Sequence, residues 1–121
     1  MPKPKHVDVD PVVLDVYRRM VQSVPGAEVK GDTMPYTSIN GNMYSSVSKA
    51  NRIGVRLPKA ARDAFLEQHG TTLFEALPGF FQKEYVAVPE AIYQDADTLA
   101  SLFCASHDYA SSLKPKKTTR G

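Results

Sequence analysis

Hydrophobic positions fall into three kinds of pattern along these 121 residues. Val13, Val16, Tyr17, Met20, Val21 and Val24 recur at spacings of three and four, the apolar stripe of an amphipathic helix. Asp10 and Pro11 open that helix, one as N-cap and the other as a first residue whose missing N–H costs nothing there. Pro25-Gly26 closes it. From Met34 the period changes to two. Asn40-Gly41, set between alternating residues, predicts a hairpin with a two-residue turn, because both positions must take positive φ. That turn pairs Ile39 with Asn42 and places Met34, Tyr36, Ser38, Met43, Ser45 and Val47 on one buried face. A three-residue loop at Lys49, Ala50 and Asn51 then sets Val47 opposite Ile53, Ser45 opposite Val55 and Met43 opposite Leu57. Asn51 takes the left-handed position of that loop.

The remainder returns to helical spacing with one strand between. Pro58 opens a helix with Ala61, Ala64 and Phe65 on its apolar face, and Gly70 ends it just after His69. The run TTLFEALPGFF keeps neither period and reads as a loop or ragged half-turn. KEYVAVP alternates and reads as an edge strand protected by charge and ended by Pro89. Asp95 caps a last helix carrying Leu99, Leu102, Phe103 and Ser106. These elements predict an α+β domain: a small antiparallel sheet, a meander plus a later strand, with helices packed on one face. Residues 7–113 form the domain, between basic, mobile tails at residues 1–6 and 114–121.

Composition narrows the function classes. The net charge is +2, but Lys3, Lys5, Lys114, Lys116, Lys117 and Arg120 all lie in the tails. The body keeps nine basic residues against thirteen acids, a balance that disfavours a broad phosphate-binding surface. No apolar run approaches the ~20 residues of a membrane span, and the basic start is followed by acids instead of a signal-type apolar stretch. A cytoplasmic protein with no membrane contact is expected. The single cysteine excludes an internal disulfide, and no metal or cofactor motif is present, so neither is expected.

The order of motifs TMPYTSINGNMYSSVSK, IGVRLP, KEYVAVPEA and SLKPKK, from Thr33 to Lys117, resembles the N-terminal domain of the TfoX/Sxy proteins, related in fold to MmcQ/YjbR-like domains. The resemblance implies a helix on a small antiparallel sheet; two-domain members add a C-terminal domain, and with the chain stopping at Gly121 a stand-alone, single-domain member is expected. It also implies an association with transcriptional control of DNA uptake, and no enzymatic activity or catalytic residue.

Three sets of residues carry candidate chemistry. Lys49, Arg52, Arg56 and Lys59, with Tyr44 as a stacking face beside Arg56 on the non-core side, form a basic meander suited to weak nucleic-acid contact. An exposed sheet surface kept soluble by charge, with Arg56 lying over Tyr44, is the plainer alternative. Cys104 and His107, at i and i+3, have the spacing of a nucleophile and base, although a cysteine beside Phe103 on an amphipathic helix is the usual core residue. Lys83 and Tyr85 alternate with Glu84, so these three cannot converge. The expected function is a non-enzymatic module acting through a protein partner or self-association, with nucleic-acid contact through the meander as the alternative.

Overall fold

The computed structural model describes residues 9–31, 34–77 and 79–114. The basic tail at residues 1–6 and residues 115–121 of the C-terminal tail lie outside them. The elements run in the order α1 (Pro11–Gln22), β1 (Tyr36–Ile39), β2 (Asn42–Val47), β3 (Ile53–Arg56), α2 (Lys59–His69), β4 (Leu73–Leu77), β5 (Phe80–Ala87), a 3-10 turn (Glu90–Ile92) and α3 (Ala96–Ser112). The strands form one antiparallel sheet in the order β1-β2-β3-β5-β4, with the helices packed on one face, an α+β arrangement.

The signals at the helix ends act as their chemistry requires. The Asp10 carboxylate accepts from the Val12 amide at 2.8 Å, and Asp95 accepts from the Thr98 amide at 3.1 Å. Gly70 ends α2 in the left-handed conformation at φ 59°. The α1 stripe is buried at Val13, Val16, Tyr17, Met20 and Val21. It packs with Ile53, Val55, Val86, Leu102 and Phe103 in one cluster, each large side chain contributing about 1.5–3 kcal/mol on burial.

The turns set the register. Asn40 and Gly41 both have positive φ, and Ile39 pairs with Asn42. Val47 pairs with Ile53 and Ser45 with Val55; Ser48 and Arg52 close the loop at 2.9 Å, with Asn51 at φ 61°. Asn51 does more than turn the chain. Its Oδ1 accepts the Asp10 amide at 2.8 Å, tying this hairpin to the start of α1.

Five expectations are corrected. First, a bulge between Thr37 and Ser38 in the β1–β2 register leaves Tyr44 as an extra residue on β2. Side chains flanking a bulge lose the strict alternation, so Tyr44 and Ser45 both enter the core. Tyr36 and Met43, expected there, instead border a groove with Met34, Ser46 and Phe74. Second, the segment expected to be a loop forms β4 and opens β5, turned at Gly79 with φ 79°. The Glu75 carboxylate stabilises the turn by accepting the Gly79 amide at 2.7 Å. Third, β5 lies inside the sheet, between β3 and β4, and is not an edge. Fourth, Cys104 is half-buried instead of a core residue. Fifth, Lys114, assigned to the C-terminal tail, has its carbonyl held by Asn42 Nδ2 at 3.2 Å.

A buried hydroxyl chain joins α1 to the sheet. The Tyr17 hydroxyl shares a 2.7 Å hydrogen bond with Ser45 Oγ, which also bonds Thr37 Oγ1. Burial raises the Tyr17 phenol well above its ordinary range, only partly offset by these hydroxyls. The network fixes which face of the bulged strand meets α1.

Candidate functional site

Three of the five residues of the basic meander are buried or paired. Tyr44 is 2% exposed, its ring packed on Phe103 at 5.4 Å and edge-on to His107 at 5.6 Å, and offers no stacking face. Arg56 directs Nε and Nη2 to Glu84 Oε1 at 2.7 and 2.6 Å. Its guanidinium lies 5.8 Å from the ring centroid of Tyr109, the aromatic partner that had been assigned to Tyr44. Lys59 pairs with Asp63 one helical turn on, at 2.8 Å. Lys49 and Arg52 remain as exposed cations of this set with no side-chain hydrogen bond or ion pair among the described residues.

Glu84 links the sheet to α3. Oε2 accepts the Tyr109 hydroxyl at 3.2 Å while Oε1 faces Arg56. Partial burial pushes this carboxyl up, but Arg56 and the Tyr109 hydroxyl together pull it below the ordinary glutamate range. Its neighbour Tyr85 points away and donates to the Met43 carbonyl at 2.7 Å. Burial raises the Tyr85 phenol to about 12. Lys83 is exposed, and among the described residues no hydrogen bond or ion pair joins it to Glu84 or Tyr85.

Among the described residues no hydrogen bond joins Cys104 to His107. The His107 ring is committed to Tyr44, and Nδ1 lies 3.7 Å from Asp108 Oδ1 on its own helix. Among the described residues no group of three His, Cys, Asp or Glu converges as a metal site would need. A groove of about 430 Å³ between α2 and α3, floored by Leu57, Phe65 and Leu102, includes His69 and Asp97 among its lining residues. The His69 ring stacks on Phe65 at 4.4 Å. No unpaired buried polar atom faces into this groove among the described residues.

The sheet face away from the helices has different properties. Gly54 lies between Ile53 and Val55, whose side chains enter the helix-side core, so its missing side chain opens the opposite face. The Phe74 ring fills that space and is 1% exposed. Phe74 and Tyr85, with ring centroids 6.2 Å apart, form an aromatic floor. Two grooves border it. One of about 270 Å³ is lined by Met34, Tyr36, Met43, Lys49 and Phe74; the other, of about 400 Å³, is lined by Arg56, Phe80, Phe81, Lys83 and Tyr85. Gln82 lines both. Its Oε1 is buried with no hydrogen-bond partner, the one such side-chain atom among the described residues. Beside it Phe80 and Phe81 are 59% and 50% exposed.

Comparisons with protein-family models, curated proteins and solved structures return no match. Among the described residues no helix is long and apolar enough to cross a membrane.

Sequence reasoning passed over the outer-face residues, although two signals pointed to them. An isolated glycine inside a strand pattern marks close approach by another group, which describes Gly54 under Phe74. Pro78-Gly79 followed by two phenylalanines is a turn signal with an apolar finger attached.

Proposed function

We propose that this chain is a non-enzymatic interaction module that binds protein through the outer face of its sheet, around the β4–β5 hairpin. The observation that carries this reading is the buried, unpaired Gln82 Oε1 at the junction of two grooves, with Phe80 and Phe81 exposed beside it. A buried acceptor without a donor costs roughly 1–3 kcal/mol, a cost removed by a ligand that brings an N–H or O–H. Apolar anchors around a polar position, over a rigid floor, are the composition of an interface centre.

The likeness of the motif order to the TfoX/Sxy N-terminal domain belongs to the same proposal, with the cytoplasmic, regulatory role that it implies. Nucleic-acid contact through the meander has less support. Arg56 and Lys59 are held in ion pairs and Tyr44 is in the core, leaving Lys49 and Arg52 beside a net-negative body.

A photo-crosslinking residue in place of Phe81, introduced in cells, tests the reading. A protein adduct is expected, a second copy included, and the same group in place of exposed Arg18 on α1 should give none. Absence of any adduct at Phe81, or equal labelling at both positions, would rule the interface out.

A further inference from the structure

Phe80 and Phe81 are consecutive residues at the start of β5, both are exposed, and both border the groove that Arg56 and Tyr85 line. Two exposed rings side by side at the end of a hairpin are buried only by a partner that covers them. The charges choose between partners. On the finger, Glu75 is exposed and caps the turn through Oε2, leaving lone pairs free for a cation. On the groove floored by Met43 and Phe74, the lining cation is Lys49. The tip of the finger therefore carries an acid, with the exposed Lys83 further from the turn, and the apolar groove carries a base. A two-fold interface needs a surface complementary to itself, each contact being made twice.

Resting on the proposed interaction surface, we infer that its occupant is a second copy of this chain, with the hairpin of each copy seated in the groove of the other and the two-fold axis near Gln82. Glu75 of one copy then faces Lys49 of the other, twice. The groove side chains close over the Phe80 and Phe81 rings, and a donor from the facing hairpin satisfies Gln82 Oε1.

Sedimentation velocity of the full chain across a concentration series, with circular dichroism to confirm folding, tests this. The wild type should pass from monomer to dimer as concentration rises. Glu75→Lys and Lys49→Glu should each raise the midpoint concentration by about tenfold or more, because two rim attractions become repulsions. An equimolar mixture of the two variants should restore the wild-type midpoint, since both cross-pairs in the mixed dimer are again opposite in charge. Phe80→Ser with Phe81→Ser, at positions already exposed, should leave a folded monomer. A wild type that stays monomeric throughout, or variants whose mixture is no better than either alone, overturns the pairing. The underlying surface is judged separately. Photo-adducts from Phe81 to a different protein, with a monomeric chain, would defeat self-pairing and keep the interaction face; no adducts and a monomer would defeat both.

Discussion

Adding one methyl group at Gly54 tests the outer-face architecture. An ideal Cβ built there lies 2.6 Å from Phe74 Cδ1 and closer still to its Cγ and Cδ2. Non-bonded carbons settle at about 3.5–4.0 Å, so the ring must retreat by about an ångström. It has little room to do so, being 1% exposed and joined to a strand that pairs with β5 on its inner edge. Overpacking of this kind costs about 1–3 kcal/mol. Replacing a mid-strand glycine returns about 0.5–1 kcal/mol through reduced backbone freedom in the unfolded chain. Gly54→Ala should therefore destabilise by up to about 2.5 kcal/mol, the clash outweighing the entropy gain.

The decisive measurement is the cycle with Phe74→Ala, which by itself should cost about 3–5 kcal/mol as a large-to-small change in a packed site. Without the ring, the Gly54 substitution meets nothing and should become neutral or stabilise by up to about 1 kcal/mol. Equilibrium urea unfolding followed by far-UV circular dichroism suits a chain without tryptophan. The coupling expected between the two positions is about 1–3 kcal/mol. An equal cost of Gly54→Ala in both backgrounds would show that Phe74 does not lie over Gly54, and the aromatic floor would go with it.

Four further outcomes are expected. Glu84 is held below its unfolded pKa, so its share of stability is present above the ordinary glutamate range and lost as pH falls through the depressed value; Arg56→Met should flatten that acid limb in urea titrations. Tyr85 is shifted the other way, so its contribution is complete below the ordinary tyrosine range and lost as pH rises through about 12, which phenolate absorbance coinciding with unfolding would record. Asn51→Ala removes both a residue tolerant of φ 61° and the acceptor for the Asp10 amide, and should cost about 1–2 kcal/mol in thermal melts, with Asn51→Gly losing less because the turn survives. Anisotropy of a labelled DNA duplex should show only weak binding near physiological salt; submicromolar affinity that survives deletion of residues 114–121 and vanishes on reversing Lys49 and Arg52 to Glu would restore the nucleic-acid reading.

Where local chemistry decides the outcome, the chain is readable. Asp10-Pro11 supplies a cap and a fixed φ, Asn40-Gly41 and Gly70 tolerate the positive φ that a turn and a helix end require, and the structure places a helix start, a turn and a helix end at them. The loop length at Lys49 to Asn51 was deduced from apolar alignment, and Val47 does meet Ile53. The Tyr44 bulge left no such mark. It requires no glycine, and it is favoured by burying Tyr44 against Phe103 and Ser45 against Tyr17, partners 59 and 28 residues away. For the basic meander, the Lys59–Asp63 pair follows from helical spacing. The Arg56–Glu84 pair joins β3 to β5 and follows from tertiary structure alone. Charge density along a sequence therefore overstated the cations free to meet a ligand.

The outer face arises from an irregularity in strand pairing. Leu73 pairs with Val86, but the next residue of β4, Phe74, pairs with Gln82, so one step along β4 spans four along β5. Lys83, Glu84 and Tyr85 are thereby released from β4 and remain tied on the other side, where Tyr85 pairs with Arg56 and the Glu84 carbonyl accepts the Leu57 amide at 2.9 Å. Freed from a regular ladder, Glu84 reaches Arg56 and Tyr109 while Tyr85 reaches the Met43 carbonyl. The same slip brings Phe74 over Gly54, two strands away from its own, and carries Phe80 and Phe81 out beyond the floor. The base of the hairpin is anchored by an ion pair, two tyrosine hydroxyls and a buried ring, while its end is left uncovered. A hairpin braced in this way pays little ordering entropy when it binds, and pre-organisation of that kind favours contact by a rigid finger over folding upon binding.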